Sequence, residues 1–249
     1  MTQPTGTLAP PYVPERDHEW RDDGTGLLTH LASGRTRAVA TYRQALIVGT
    51  ADRSMTTTAI RVPYVVAYEV ETVALNLAVI HDVWALSGRR LSYADPVGSD
   101  WVMGVLWARQ KCDRRGKVNY EEMHTLRQRE CMLYRLCQVC EGPAINPGTG
   151  RLSWVFHEEV PAASDRLSKP PTCLRCIPKA RITCPYLQCE AHVYTSPDYE
   201  PWGVKGTVFS ASGWPTLQDV PLTDLCTLEF TLARALIVHV SNLLPERVP

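Results

Sequence analysis

The residues best suited to chemistry in this chain are two cysteine pairs of the form Cys-x-x-Cys. The first pair is Cys137 and Cys140, and the second is Cys173 and Cys176, after 32 intervening residues. Two such pairs supply four thiolates that one tetrahedral metal ion can bind, and zinc is the usual occupant. The alternatives are a redox-active dithiol and unpaired buried thiols, and two pairs at this spacing disfavour both. The sequence therefore predicts a structural zinc site.

The segment between the two pairs has the element order of a treble-clef or ribbon-type zinc site. Turn-forming residues at 146–150 precede a predicted strand over 151–160, which contains a Trp-Val-Phe run. Pro178 follows the second pair, and proline is well tolerated in the first turn of a helix. We therefore expect a knuckle, a turn and strand, and then a second knuckle that enters a helix.

Three further metal-ligand candidates follow the second pair, namely Cys184, Cys189 and His192. They could form a second site or supply a substitute ligand, although the sequence offers no clear fourth ligand. The second site is therefore a weaker hypothesis than the four-cysteine site.

Most signatures of catalysis are missing. The chain contains no phosphate-binding glycine loop, no nucleophile elbow and no His-Glu-x-x-His zinc helix. In a deaminase-like interpretation, His157, Cys173 and Cys176 bind zinc and Glu159 transfers protons, which leaves the first cysteine pair without a role. In a treble-clef nuclease, His157 would activate water, but the sequence lacks a second metal-binding residue just after Cys176. A zinc-dependent hydrolase is therefore the alternative function and not the leading one.

The charge is balanced overall but not along the chain. The 26 basic and 26 acidic residues give a net charge of zero, yet residues 109–181 contain 14 basic and 8 acidic side chains. The candidates for a basic contact surface in this region are Arg114, Arg115, Lys117, Arg127, Arg129 and Arg135. A solvated face balanced by its acidic flanks is the alternative. Because aromatic residues are not interleaved with these charges, we expect a protein partner and no strong independent nucleic-acid binding.

The sequence also bears on the compartment. No run of eighteen apolar residues predicts a membrane span, and the first residues lack the pattern of a signal peptide. Nine cysteines, an odd number in a long chain, fit metal binding in a reducing environment better than a disulfide scaffold. We therefore expect a cytoplasmic protein without a membrane partner.

The predicted fold class is α+β, with mixed strands, a zinc-stabilised middle and a C-terminal packing helix. Besides the helix after the second cysteine pair, three helices are expected: one over 70–84 with His81 in the core, one from about Tyr120, and one over 222–244 capped by Thr223. Strands are expected within 27–50, 60–70 and 203–209, and the run 101–107 is either a strand or the start of a buried helix. The predicted segments are an extended arm (1–26), an α+β part (27–130), the zinc-binding segment (131–192) and a C-terminal strand and helix that pack on the core (193–249).

Three short motifs carry a resemblance to a known group of proteins. They are Cys-x-x-Cys-x-Gly-Pro-Ala at 137–144, Pro-Pro-Thr-Cys-x-x-Cys at 170–176 and Cys-Pro-Tyr-Leu at 184–187. Over residues 131–190 the chain resembles small zinc-knuckle proteins of actinobacteria and their temperate phages. Its size, proline-rich start and neutral charge are also similar to those of the recombination directionality factors of actinophage large serine integrases. This resemblance implies a non-catalytic accessory protein that binds a DNA-bound integrase and switches it from integration to excision.

Overall fold

The computed structural model describes residues 20–22, 27–30, 36–38, 62–160, 165–209 and 214–246. The chain divides into two units, residues 1–59 and 60–249. The first unit contains an antiparallel sheet in the order β1-β2-β3, formed by β1 (Trp20–Asp22), β2 (Leu27–His30) and β3 (Thr36–Ala38). Strands β2 and β3 fall within the range 27–50 in which strands are expected, and the rest of that range lies outside the described residues. The predicted arm, residues 1–26, is described only at β1.

The described part of the second unit is mostly β-structure with a few short helices, so the predicted mixed α+β class is confirmed. Its strands are β4 (Val66–Tyr68), β5 (Leu77–His81), β6 (Arg89–Tyr93), β7 (Trp101–Val102), β8 (Val105–Trp107), β9 (Val118–Met123), β10 (Leu152–Phe156), β11 (Arg166–Leu167), β12 (His192–Ser196), β13 (Asp198–Val208), β14 (Thr216–Pro221), β15 (Thr231–Ser241) and β16 (Leu244–Glu246). Its helices are α1 (Thr125–Leu133), α2 (Ile177–Thr183), α3 (Pro185–Cys189) and α4 (Leu225–Leu228).

A six-stranded sheet organises this unit around β15. The strand order is β14-β13-β15-β8-β7, and β11 pairs with a different part of β15. On one edge β15 pairs with β13 along almost its whole length, and on the other it pairs with β8 through Leu232 and Ala233 and with β11 through Val238 and His239. A second sheet, β10-β12-β16, and the pairs β4-β9 and β5-β6 complete the β-structure.

The predicted C-terminal helix over 222–244 is wrong. Only α4 is helical, Asp224 rather than Thr223 caps it, and the chain then enters the central strand β15. Ten of the eleven residues of β15 are buried or half-buried without alternation, because both faces of a central strand are covered. Such a continuous apolar run has no period that separates a strand from a buried helix.

The helix predicted over 70–84 is also wrong. Val73 forms an isolated bridge with Gln110, and the chain continues into the antiparallel hairpin of β5 and β6. The hairpin turn ends at Gly88, whose φ of +70° suits glycine. His81 is exposed at the end of β5 and is not a core histidine. The apolar residues had helical spacing by coincidence, and strand pairing with β6 decided the structure.

Helix α1 begins later than predicted. Tyr120 belongs to β9, which pairs with β4, and the helix starts at Thr125 after the cap residue His124. The imidazole Nδ1 of His124 accepts a hydrogen bond from the Arg127 amide, and its Nε2 lies 3.0 Å from the Lys111 carbonyl oxygen. The buried histidine thus ends the strand and fixes the start of the helix.

Helix α1 is anchored by buried polar contacts. The Arg127 guanidinium forms an ion pair with Glu71 and donates hydrogen bonds to the carbonyl oxygens of Tyr64 and Val66. Gln128, which is fully buried, donates from Nε2 to the carbonyl of Leu236 and accepts from the Leu236 amide, both at 2.9 Å. These two bonds fill the gap between the β8 and β11 pairings on the edge of β15. The side-chain amide of Gln128 therefore takes the place of a strand peptide.

Candidate metal centre

Four cysteine thiols meet inside the second unit. The Sγ atoms of Cys137, Cys140, Cys173 and Cys176 all lie within 4.8 Å of one another, and three of the four residues are buried. Among the described residues, these four side chains are the one group of three or more histidine, cysteine or acidic residues placed closely enough to hold a metal ion. The two Cys-x-x-Cys pairs that the sequence singled out are therefore brought together at one point.

The first pair sits on a tight turn after helix α1. Leu136 and Pro143 form an isolated bridge, and the Cys137 amide donates a 2.7 Å hydrogen bond to the Gly142 carbonyl. Glu141 has a φ of +63°, which turns the chain back on itself. The turn points its amides toward sulfur, and the Val139 amide lies 3.4 Å from Cys137 Sγ.

The second pair sits at the start of helix α2. Cys176 is the residue before the helix, and the amides of Cys176 and Ile177 both donate to the Cys173 carbonyl. The Cys173 amide donates to Cys137 Sγ at 3.3 Å. The positive end of the helix and these amides favour thiolate charge at the cluster.

Two polar residues connect the turns to each other. The Gln138 amide donates to the Pro171 carbonyl at 2.9 Å, and its Nε2 donates to Thr172 Oγ1 at 2.7 Å. The Thr172 amide in turn donates to the Ser153 carbonyl in β10. Sequence reasoning missed these contacts, although Gln138 lies between the two cysteines of the first pair. They hold the two pairs in place beside the second sheet.

The spacing of the thiols fits a tetrahedral ion. Sulfur ligands at about 2.3 Å from a tetrahedral metal are separated by roughly 3.8 Å. The Sγ atoms of Cys140 and Cys173 are 3.8 Å apart. All nine cysteines of the chain are free thiols, so no disulfide competes for these four. The group can therefore hold one metal ion.

The thiols of the cluster do not titrate alike. Their mutual hydrogen bond lowers the pKa of Cys140 and raises the pKa of Cys137. A hydrogen bond with Cys137 lowers the pKa of Cys173 to about 7. A lowered thiol pKa favours the thiolate, which is the form that binds a divalent cation.

The cluster also belongs to the main hydrophobic core. Cys137, Cys173 and Cys176 pack in the same group of buried residues as Trp154 and Leu236. The Trp154 indole donates to the Lys169 carbonyl at 3.1 Å, just before the second pair. Separating the two cysteine pairs would therefore disturb the packing of both the six-stranded sheet and the sheet β10-β12-β16.

The three other ligand candidates do not form a second group of this kind. Cys184 and Cys189 lie at the two ends of α3, and His192 begins β12. His192 Nε2 lies 2.9 Å from a carboxylate oxygen of Glu190.

The six basic candidates lie in different surroundings. Arg127 is buried against Glu71, so the prediction that it belongs to a basic contact surface is wrong. The Arg129 guanidinium stacks on Trp107, and Arg135 pairs with Asp198, so both have internal contacts. The other three lie on the exposed loop before β9: Arg114 stacks on Tyr64, Arg115 pairs with Asp113, and Lys117 is exposed.

The residues proposed for hydrolysis lie at the end of β10. His157 and Glu159 line a cavity of about 170 Å³ together with Arg166 and Lys169. His157 Nε2 is 3.2 Å from a carboxylate oxygen of Glu158, and its ring lies 5.8 Å from the Tyr186 ring. His157 is not a member of the metal-binding group, which holds both cysteine pairs.

Comparison with known proteins adds no family to these observations. The chain matches no protein-family profile, no curated protein and no solved structure. Within the described residues, no helix has the length and apolar character needed to cross a membrane.

Proposed function

We propose that the chain is a zinc-stabilised accessory protein that binds another protein and catalyses no reaction itself. One observation carries this proposal: the metal-binding group consists of four cysteines, largely buried in the core. Structural zinc sites have four protein ligands, whereas catalytic sites keep one position for water or substrate. A closed four-cysteine site stabilises a fold and has no position for a reaction.

Zinc is the metal that these ligands suit best. Thiolates select zinc, copper(I) or iron, and a tetrahedral four-sulfur site formed by two Cys-x-x-Cys turns is typical of structural zinc. The order of a knuckle, strand β10 and a second knuckle entering α2 supports a treble-clef or ribbon-like site. The free state of all nine cysteines supports a reducing, cytoplasmic location.

The proposed partner is a DNA-bound large serine integrase, and the proposed role is that of a recombination directionality factor. The motifs around the two cysteine pairs and at 184–187 support this choice through their resemblance to actinophage zinc-knuckle proteins. Physically, the protein would bind more tightly to the integrase arrangement that excises than to the one that integrates. Only such a difference in affinity shifts the balance between two states.

The test is an excision assay with the purified protein, the integrase encoded beside it and the two hybrid attachment sites. Excision that requires this protein, together with integrase binding in the absence of DNA, is the expected result. Absence of both excision and integrase binding would refute the role. A Cys176→Ser variant tests whether the role depends on the metal-stabilised fold.

A zinc-dependent hydrolase is the second candidate, and the cavity beside β10 favours it. His157 and Glu159 lie there next to two cationic side chains, Arg166 and Lys169, which would suit a phosphate-containing substrate. Substitutions His157→Ala and Glu159→Ala discriminate the candidates. They abolish hydrolysis if the cavity is an active site, and they leave integrase binding unchanged if the protein is a docking factor.

A further inference from the structure

The tip of the β5–β6 hairpin, residues 82–88, exposes an unusual amount of apolar surface. Val83 and Trp84 each have an exposed fraction of 90%, and Leu86 has 67%. Single exposed apolar side chains are normal on a protein surface, whereas a contiguous exposed group marks an interaction site. Three large apolar side chains within four residues form such a group.

The backbone of this tip is held by a glutamate from a distant part of the chain. The carboxylate of Glu229 accepts hydrogen bonds from the amides of Leu86 and Ser87 and from the Ser87 hydroxyl. The Leu91 amide donates to the backbone carbonyl of Glu229 at 2.7 Å. Contacts that reach across more than 140 residues thus fix a loop whose own side chains point to solvent.

The base of the tip is fixed as well. Asp82 accepts a 2.9 Å hydrogen bond from the Trp84 amide, and its other carboxylate oxygen lies 2.6 Å from Arg90 Nε. The Arg90 guanidinium stacks 4.4 Å above the Trp101 ring. Binding would therefore immobilise little further backbone, and such preorganisation lowers the entropic cost of association.

The charges around the tip specify the chemistry of its partner. The carboxylates of Asp82 and Glu229 are both engaged in the contacts that hold the loop. Arg89, at the first paired position below the tip, is exposed and forms no ion pair with a described residue. The surface offered to a partner is therefore apolar at its centre and positive at its edge. A complementary surface is an apolar pocket with a carboxylate on its rim.

We infer that residues 82–88 are a docking site on which Trp84 enters an apolar, acid-rimmed pocket of a protein partner. Tryptophan is among the residues that most often dominate binding energy when they are buried at the centre of an interface. The inference rests on the proposed function for the identity of the partner, which is the integrase. It assigns the contact to a specific surface that includes none of the four clustered cysteines.

The test measures the affinity of the integrase for the wild-type protein and for Trp84→Ala by biolayer interferometry. Trp214→Ala is the matched control, because Trp214 has an exposed fraction of 89% but lies outside the tip. We expect Trp84→Ala to weaken binding by about 30-fold or more and Trp214→Ala to leave it unchanged. Both variants remove a solvent-exposed side chain, so their thermal melting should match that of the wild type.

The outcomes separate the docking site from the proposed function. Equal binding by the wild type and Trp84→Ala would overturn the docking site while the accessory role stands. No binding by the wild type would overturn both. A second variant, Arg89→Glu, should weaken binding and make it less sensitive to salt, and unchanged affinity of this variant would overturn the acidic rim.

Discussion

Substitution of Gln128 by methionine tests the most unusual contact in the fold. Methionine has a similar length but cannot hydrogen bond in the same way, so the amide and carbonyl of Leu236 lose their partner on the open part of the β15 edge. The carbonyl of Ser168, which also accepts from Gln128 Nε2 at 2.7 Å, loses its partner too. Three polar groups are thus left without these bonds.

The magnitude follows from the number of groups affected. The two Leu236 groups are buried, whereas the Ser168 carbonyl is only partly buried and water can reach it. Each buried polar group without a partner costs about 1–3 kcal/mol, so the free energy of unfolding should fall by roughly 2 to 6 kcal/mol. In a protein of this size that loss corresponds to a drop in melting temperature of roughly 10 °C. Chemical denaturation with urea, followed by tryptophan fluorescence in zinc-containing buffer, measures it directly.

Gln218→Met is the matched control, because Gln218 is exposed on β14. Among the described residues, its side-chain amide donates a hydrogen bond only to the Thr216 hydroxyl. Its unfolding free energy should stay within about 0.5 kcal/mol of the wild-type value. If Gln128→Met were as stable as Gln218→Met, the role of Gln128 as a substitute for a strand peptide would be refuted.

Three further predictions follow from the same structure. Burial and the charge of Arg127 lower the pKa of His124 to about 4, so the folded state binds fewer protons than the unfolded state. This histidine therefore leaves the free energy of unfolding unchanged above about pH 6.5 and lowers it by about 3 kcal/mol toward pH 4. In urea titrations at several pH values, His124→Asn should lack this decrease. In Gly206→Ala, the new Cβ would lie 2.6 Å from the Leu232 carbonyl oxygen, so about 3 kcal/mol of stability should be lost, whereas Gly98→Ala, which meets no neighbour within 4 Å, should melt like the wild type. A Cys184→Ser, Cys189→Ser double variant should keep the full metal content in elemental analysis, since a loss of metal would mean that these residues are ligands.

The cluster of four cysteines was predictable from the sequence because its geometry is largely local. Two Cys-x-x-Cys turns place each pair of thiols by short-range backbone bonds, and only the meeting of the pairs depends on the fold. Strands β10 and β13 were predictable for a similar reason, since apolar and β-branched residues are bounded there by turn formers.

The errors came from residues whose structure depends on distant partners. The sequence of β15 suits a buried helix as well as a strand, and its pairing with β13 decided the outcome. Arg127 seemed to belong to a basic face because nothing near it in sequence indicates the ion pair with Glu71, 56 residues earlier. The same limit applies to Gln128, whose contacts with Leu236 span 108 residues.

Native mass spectrometry of the purified protein tests the central claim, a structural zinc ion held by four cysteines. The wild-type spectrum should show one zinc ion per chain, and the spectrum of Cys176→Ser should show the metal-free mass together with a broad charge distribution, because loss of the metal unfolds the core around it. A folded, metal-free wild-type chain would contradict the claim, and so would a Cys176→Ser protein that retains one zinc ion.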